Sequence, residues 1–138
     1  MGVTLNPYLS FKGNAREAME FYQQVFGGDL NVSTFAELGA PTDPSDAELV
    51  MHADLEGSRG IRFFGSDTPS HMEYRPGTNF SMSLSGEDEE PLRGYFDRLS
   101  DGGNVLQPLE KAPWGDTFGM CTDRFGVTWL VNVSAPKE

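Results

Sequence analysis

The sequence predicts an α+β protein made of paired βαβββ modules, its eight strands forming a curved mixed sheet around a cleft. Two observations carry that prediction. The first is an internal repeat. Leu9-Ser10-Phe11-Lys12-Gly13-Asn14 leads into a helical stretch, Ala15 to Phe26, and then into Gly27-Gly28-Asp29-Leu30. Later, Met82-Ser83-Leu84-Ser85-Gly86-Glu87 leads into a second helical stretch ending at Leu99, and then into Gly102-Gly103-Asn104-Val105. The second observation is the pattern of apolar side chains. In each half it passes from a period of two to a helical period and back again. The 138 residues suit one compact domain, 1–138, with a first module at 4–67, a connecting loop at 68–77 and a second module at 78–133.

In the first module, residues 4–12 read as a strand, with Leu9 and Phe11 alternating with Tyr8, Ser10 and Lys12. Asn14 is placed to cap the following helix, with Glu17 in the capping-box position. Ala18, Met19, Tyr22, Val25 and Phe26 recur at helical spacing, and Gly27-Gly28 ends the helix. Residues 30–37 form the next strand, 38–47 a loop with Gly39, Pro41 and Pro44, and 48–55 a third strand. There Leu49, Met51, Ala53 and Leu55 share one face, and Val50, His52 and Asp54 the other. A turn through Gly57 and Gly60 leads to a fourth strand, 61–65.

The second module follows a turn-rich stretch, 66–78. Phe80, Met82 and Leu84 alternate with Asn79, Ser81 and Ser83 as a strand. Glu87 to Glu90 place negative charge at a helix N-terminus, and Pro91 fits the first turn. Leu92, Tyr95, Phe96 and Leu99 form the apolar stripe of that helix. Strands at 104–109, 117–122 and 127–133 complete the unit, with the Trp114-Gly115 loop before the second of them. The helices are expected to cover Leu9, Phe11, Leu49, Met51, Phe80, Met82, Val127, Trp129 and Val131. The opposite face then carries Tyr8, Ser10, Lys12, His52, Asn79, Ser81, Ser83, Thr128, Leu130 and Asn132. A slip of one residue would exchange the two sets.

Composition narrows the function. The formal net charge is −11, from 21 acidic and 10 basic residues. Nucleic acid is disfavoured as a partner, because its binding rests on neutralised phosphates. The acidic balance serves solubility, or draws cationic small molecules to a pocket. No apolar stretch approaches the roughly 20 residues of a membrane span, and no basic segment with a long apolar run opens the sequence. Cys121 stands alone, so neither an intrachain disulfide nor a cysteine metal cluster is expected. These features lead us to expect a cytoplasmic protein without a membrane partner.

Several short motifs then point to a family. They are Asn6-Pro7-Tyr8-Leu9-Ser10-Phe11 with Gly13-Asn14, Phe21-Tyr22, Phe26-Gly27-Gly28, Met51-His52-Ala53, Trp114-Gly115, Phe118-Gly119, and Asp123-Arg124-Phe125-Gly126-Val127 with Trp129. Together they resemble the vicinal oxygen chelate superfamily (the glyoxalase, bleomycin-resistance and dioxygenase group), and within it the PhnB-like branch. The resemblance covers nearly the whole chain. It implies the paired-module fold and a homodimer. In the enzymes of the superfamily it also implies one divalent metal held by four inward-facing His, Glu or Gln side chains, a Lewis acid toward vicinal oxygens of the substrate.

The matching positions carry other residues here. They fall on Tyr8 or Pro7, on Ile61 or Phe63, on Asn79 and on Leu130. Leu130 and Phe63 have no donor for a divalent ion. We therefore expect no standard metal site and no cofactor. A methyl donor of the adenosylmethionine type, suggested by a label that some sequences of this branch carry, would want a glycine-rich turn between strand and helix. Both Gly-Gly pairs here follow helices instead.

His52 is the candidate catalytic residue, as a general base or lone metal ligand, or else a structural hydrogen-bonding group. Tyr8, Ser10, His52, Asn79, Ser81, Trp114, Phe118 and Leu130 are the candidate ligand-binding residues. Trp114 and Phe118 would form an aromatic wall, or pack the loop onto the core. His71 reads as a solvated loop histidine. A metal site combining His52 and His71 with Glu37 or Asp67 would be a new arrangement. Cys121 reads as a small buried residue, since no neighbour in sequence would activate its thiol.

The leading functional reading is a binding protein that holds a small organic molecule in the cleft, as a homodimer and without the standard metal. The alternative is a lyase, isomerase or oxidoreductase of the glyoxalase–dioxygenase type, with a non-standard site around His52. A dimeric scaffold for protein partners is a third reading, which no exposed apolar stripe supports.

Overall fold

A computed structural model describes residues 2–40 and 42–135. The chain divides into two compact units, Met1–Pro76 and Gly77–Glu138. Each contains one main helix and one four-stranded mixed sheet, the α+β architecture of the repeat.

The first unit runs β1 (Tyr8–Phe11), α1 (Ala15–Phe26), β2 (Asp29–Thr34), β3 (Val50–Glu56) and β4 (Arg62–Asp67). Its sheet order is β1-β4-β3-β2, with β1 parallel to β4 and the other pairs antiparallel. Helix α1 buries Ala15, Ala18, Met19, Phe21, Tyr22, Val25 and Phe26. Against them lie Phe11, Val50, Ala53, Leu55 and Phe63. The Tyr22 and Phe26 rings meet Phe63 edge-on, at centroid distances of 5.4 and 6.1 Å. Each large side chain buried here contributes about 1.5–3 kcal/mol. Gly65 lets helix and sheet approach, since a Cβ there would lie 2.9 Å from the Met19 sulfur.

The second unit runs β5 (Met82–Gly86), α2 (Glu89–Ser100), β6 (Asn104–Lys111), β7 (Thr117–Thr122) and β8 (Thr128–Val133). Its order, β5-β8-β7-β6, repeats that of the first unit, with β5 parallel to β8. Leu92, Tyr95, Phe96 and Leu99 of α2 are buried, as are Leu109, Cys121, Trp129, Val131 and Val133 of the sheet. Gly119 plays the part of Gly65, because a Cβ there would lie 2.9 Å from the Phe96 ring. No helix among the described residues is long and apolar enough to cross a membrane.

Four expectations are corrected. The Asn14 side chain makes no capping hydrogen bond, so there is no capping box with Glu17. The Asp67 carboxylate accepts from the Ala15 amide at 2.9 Å instead, and its other oxygen accepts from the Val50 amide at 2.9 Å. The face assignment of the third strand fails at its start. Ser33 pairs with His52 and Thr34 with Val50, so Met51 is the extra residue of a bulge. The bulge turns Val50 into the core and leaves Met51 exposed. Phe80 is neither in a strand nor in the core. Strand β5 begins at Met82, and the Phe80 side chain is 83% exposed. Finally, β1 begins at Tyr8 rather than at residue 4, and β4 continues to Asp67.

The paired glycines also do more than end helices. A Cβ on Gly28 would lie 2.0 Å from the Glu56 carbonyl oxygen, and one on Gly103 would lie 2.0 Å from that of Thr122. Each second glycine lets the strand after the helix start against the backbone of the neighbouring hairpin.

Candidate functional site

The face of the first sheet turned away from α1 brings several predicted site residues together. Tyr8 and Phe64 are in register across the parallel β1–β4 pair, and Phe64 faces Asp54 across β3–β4. On β3, two residues before Asp54, stands His52, and strand alternation puts both on the same face. The Tyr8 hydroxyl lies 3.3 Å from Nδ1 of His52. It donates to that nitrogen in the neutral tautomer that carries its proton on Nε2. The rings of Tyr8, His52 and Phe64 form a triangle. Tyr8–His52 centroids are 5.7 Å apart, Tyr8–Phe64 6.0 Å and His52–Phe64 5.1 Å. Tyr8 is 49% exposed, and His52 and Phe64 are half-buried.

One side of this triangle is bounded by charge. Arg62 donates to both oxygens of Asp54, through Nε at 3.2 Å and Nη2 at 2.8 Å. Glu56 lies 3.5 Å from the same Nη2, and the guanidinium carbon sits 5.3 Å from the Phe64 centroid. The hydrogen bonds from Arg62 hold the Asp54 carboxyl below the usual carboxylate range. Partial burial opposes the shift, and the charges of Arg62 and the His52 imidazole add to it. Ser10 and Lys12 are exposed toward the other end of β1, Lys12 just beyond the strand.

The remaining predicted site residues belong to the second unit. Asn79 and Ser81 lie outside any strand and are exposed. Leu130 is on β8, half-buried. Trp114 is 65% exposed in the turn before β7, its ring 5.9 Å from Phe118. Of the two open readings of Trp114, loop-to-core packing does not fit that exposure. Beside it, Asp116 accepts from Asn132 Nδ2 at 3.1 Å and from the Ala135 amide at 2.9 Å, which lowers its pKa. Cys121 is buried, and desolvation, with the Asp123 charge, pushes its thiol up to about 11. A thiol so placed is not a nucleophile. Asp123 itself is buried, accepting from the Phe125 and Val127 amides and from the Trp129 indole at 2.8, 3.1 and 2.9 Å.

The glyoxalase/bleomycin resistance protein/dioxygenase superfamily profile matches residues 4–131. The chain belongs to this superfamily. Protein YjdN of Escherichia coli is 30% identical over 94% of this chain and 94% of its own length. Protein PA1353 of Pseudomonas aeruginosa has a similar structure, with a TM-score of 0.81 and 34% identity over 98% of this chain and all of that one. A PhnB protein of Bacillus cereus, described as a putative 3-demethylubiquinone-9 3-methyltransferase, aligns with a TM-score of 0.74 and 27% identity over 96% of this chain and all of that one.

Membership in this superfamily raises the question of its metal. The residues here do not fit one. Phe63 is a core side chain packed on α1, Tyr8 offers a phenol beside the Phe64 ring, Leu130 has no donor, and Asn79 lies outside the strand. Among the described residues no group of three His, Cys, Asp or Glu side chains could hold a metal ion. His52 and His71 do not form a centre with Glu37 or Asp67. Glu37 is engaged with Thr34, and Asp67 with the Ala15 and Val50 amides.

Sequence reasoning placed Tyr8 and His52 on one face, and Asp54 on the His52 face of the third strand, but missed Phe64 and Arg62 as their neighbours and Asp54 as the partner of Arg62. Phe63-Phe64 is an aromatic pair in a short strand, and either ring could have faced the core.

Proposed function

We propose that this superfamily member binds a small organic molecule on the face formed by Tyr8, His52 and Phe64, without the standard metal, and works as a homodimer. The observation that carries the reading is the Tyr8–His52 contact inside a ring triangle on the helix-free side of the sheet. Small-molecule sites are lined mainly by apolar and aromatic side chains with a few placed polar groups, and this face has that composition. Ser10 extends the same face with a hydroxyl. Trp114, Phe118 and Leu130 form the corresponding aromatic and apolar surface of the second unit, with Asn79 and Ser81 in the segment before β5. The dimer follows from the resemblance to the superfamily, and sedimentation equilibrium tests it.

A thermal-shift screen of diverse organic compounds, cationic antibiotics among them, tests the binding reading. Compounds that raise the melting temperature are expected to lose that effect on Tyr8→Ala. A screen without hits, or hits that keep their full effect on Tyr8→Ala, overturns it. A stoichiometric metal content in protein purified without chelator overturns the metal-free part.

The Tyr8–His52 contact also favours a second reading, an enzyme of lyase, isomerase or oxidoreductase type. A phenol on Nδ1 orients the imidazole and leaves Nε2 to exchange a proton with a bound molecule. Full retention of a discovered activity in His52→Ala would sink that reading.

A further inference from the structure

We infer that the molecule held by the Tyr8–His52–Phe64 face is a planar aromatic compound without negative charge, an inference that rests on the binding reading above. The rings supply the first half of the argument. Three flat groups from three strands lie within 6.0 Å of one another, tilted rather than stacked. Such a triangle offers edges and faces to a ring laid against its exposed side, and aromatic pairs prefer those geometries. The second half is the state of Arg62. A guanidinium at the edge of a site is ordinarily its anion receptor, through a two-pronged grip on carboxylate or phosphonate. Here the grip is already taken. Nε and Nη2 hold both oxygens of Asp54, Glu56 stands 3.5 Å from Nη2, and the flat of the group covers Phe64.

An arriving anion must therefore displace Asp54 from the Nε and Nη2 edge or take the Nη1 end beside Glu56, and either way it meets both carboxylate charges, on a chain of net charge −11. A neutral or cationic ring meets no such opposition. Lys12, exposed past the end of β1, is a single flexible cation and lacks the fork that would replace Arg62. The Arg62–Asp54 pair is then a specificity device. It keeps a polar wall beside the rings while withholding its positive charge from acids.

Three probes of one shape test this: quinoline, N-methylquinolinium and quinoline-2-carboxylate. The readout is the ring C–H signals of the two histidines in the intact protein, with His71 in the exposed loop as internal control. Quinoline and N-methylquinolinium are expected to shift His52 and not His71, with quinoline-2-carboxylate about ten-fold weaker, a ratio worth about 1.4 kcal/mol. Tyr8→Ala is expected to weaken the first two by a similar factor. Asp54→Asn frees the guanidinium and is expected to tighten quinoline-2-carboxylate selectively. If the carboxylate binds the unaltered protein as well as quinoline does, or gains nothing in Asp54→Asn, the charge inference fails while the site stands. If a saturated bicyclic alcohol shifts His52 as strongly as quinoline, the planar inference fails and the site again stands. If the screen hits of the preceding section also leave His52 unmoved, the binding reading itself falls.

Discussion

The Asp54 carboxyl meets the Arg62 guanidinium while keeping part of its surface in water, so its protonation can be followed as a change in stability. Its pKa is lowered in the folded protein, first by the Arg62 hydrogen bonds and then by the Arg62 and His52 charges. The unfolded chain binds a proton at about 3.9. Between the folded and unfolded values, unfolding takes up a proton. The stabilisation is therefore complete above the unfolded value and is lost as pH falls through the folded one. Urea midpoints from neutral pH downward are expected to converge for the wild type and Asp54→Asn below about pH 4, and to differ by a constant amount near neutrality. The difference is small, because the Arg62 side chain is 49% exposed. A gap that widens on acidification overturns the assignment. At this scale the sequence was partly readable. Asp54 and His52 share a face by simple alternation, but their partner Arg62 depends on the register of β4 against β3, which only the folded sheet defines.

At the scale of the element, the joint between α1, β3 and β4 depends on Asp67. One buried carboxylate caps the helix through the Ala15 amide and ties the start of β3 through the Val50 amide. Asp67→Ala leaves both amides buried without an acceptor, and each unsatisfied group costs about 1–3 kcal/mol. We expect a loss of about 3 kcal/mol in urea unfolding, with Asp67→Asn retaining a good part of it through its remaining oxygen. A loss no larger than that of an exposed surface substitution would remove Asp67 from this role. The helix itself was readable from its apolar spacing, and Ala15–Phe26 is the predicted span. Its cap was not. The local rule selects Asn14, whereas the acceptor comes from 52 residues downstream. The Met51 bulge is hidden for the same reason, since a period of two in one strand does not reveal where its partner skips a residue. Phe80 shows the opposite error, an alternation that extends past the point where a strand finds its neighbour.

Across the whole molecule, the fold was readable because the repeat states it twice and each copy constrains the other. Both sheets have the same strand order, both helices end before a glycine pair, and both second glycines meet a backbone carbonyl. The candidate site was less readable, because a binding face is defined by which strands lie side by side. The charge of the whole chain leads to a prediction of its own. At −11, unlike charges are too few to offset the repulsion among acids, and that repulsion works against the compact state. Salt weakens two opposing terms. It screens the repulsion, and it loosens ion pairs such as Arg93–Glu89 and Arg124–Asp101, at 3.1 and 3.5 Å. Those pairs are substantially exposed to water and contribute little to begin with. The repulsion is summed over many carboxylates and reaches across roughly 30 Å at 0.01 M salt but only about 10 Å at 0.1 M. The repulsive term therefore dominates, and the melting temperature is expected to rise as sodium chloride increases between those concentrations at neutral pH. The rise should shrink toward pH 4, where protonation removes the excess negative charge. A melting temperature that falls with salt would mean that the ion pairs outweigh the net charge, and the acidic surface would then have to be read as a network rather than as a field.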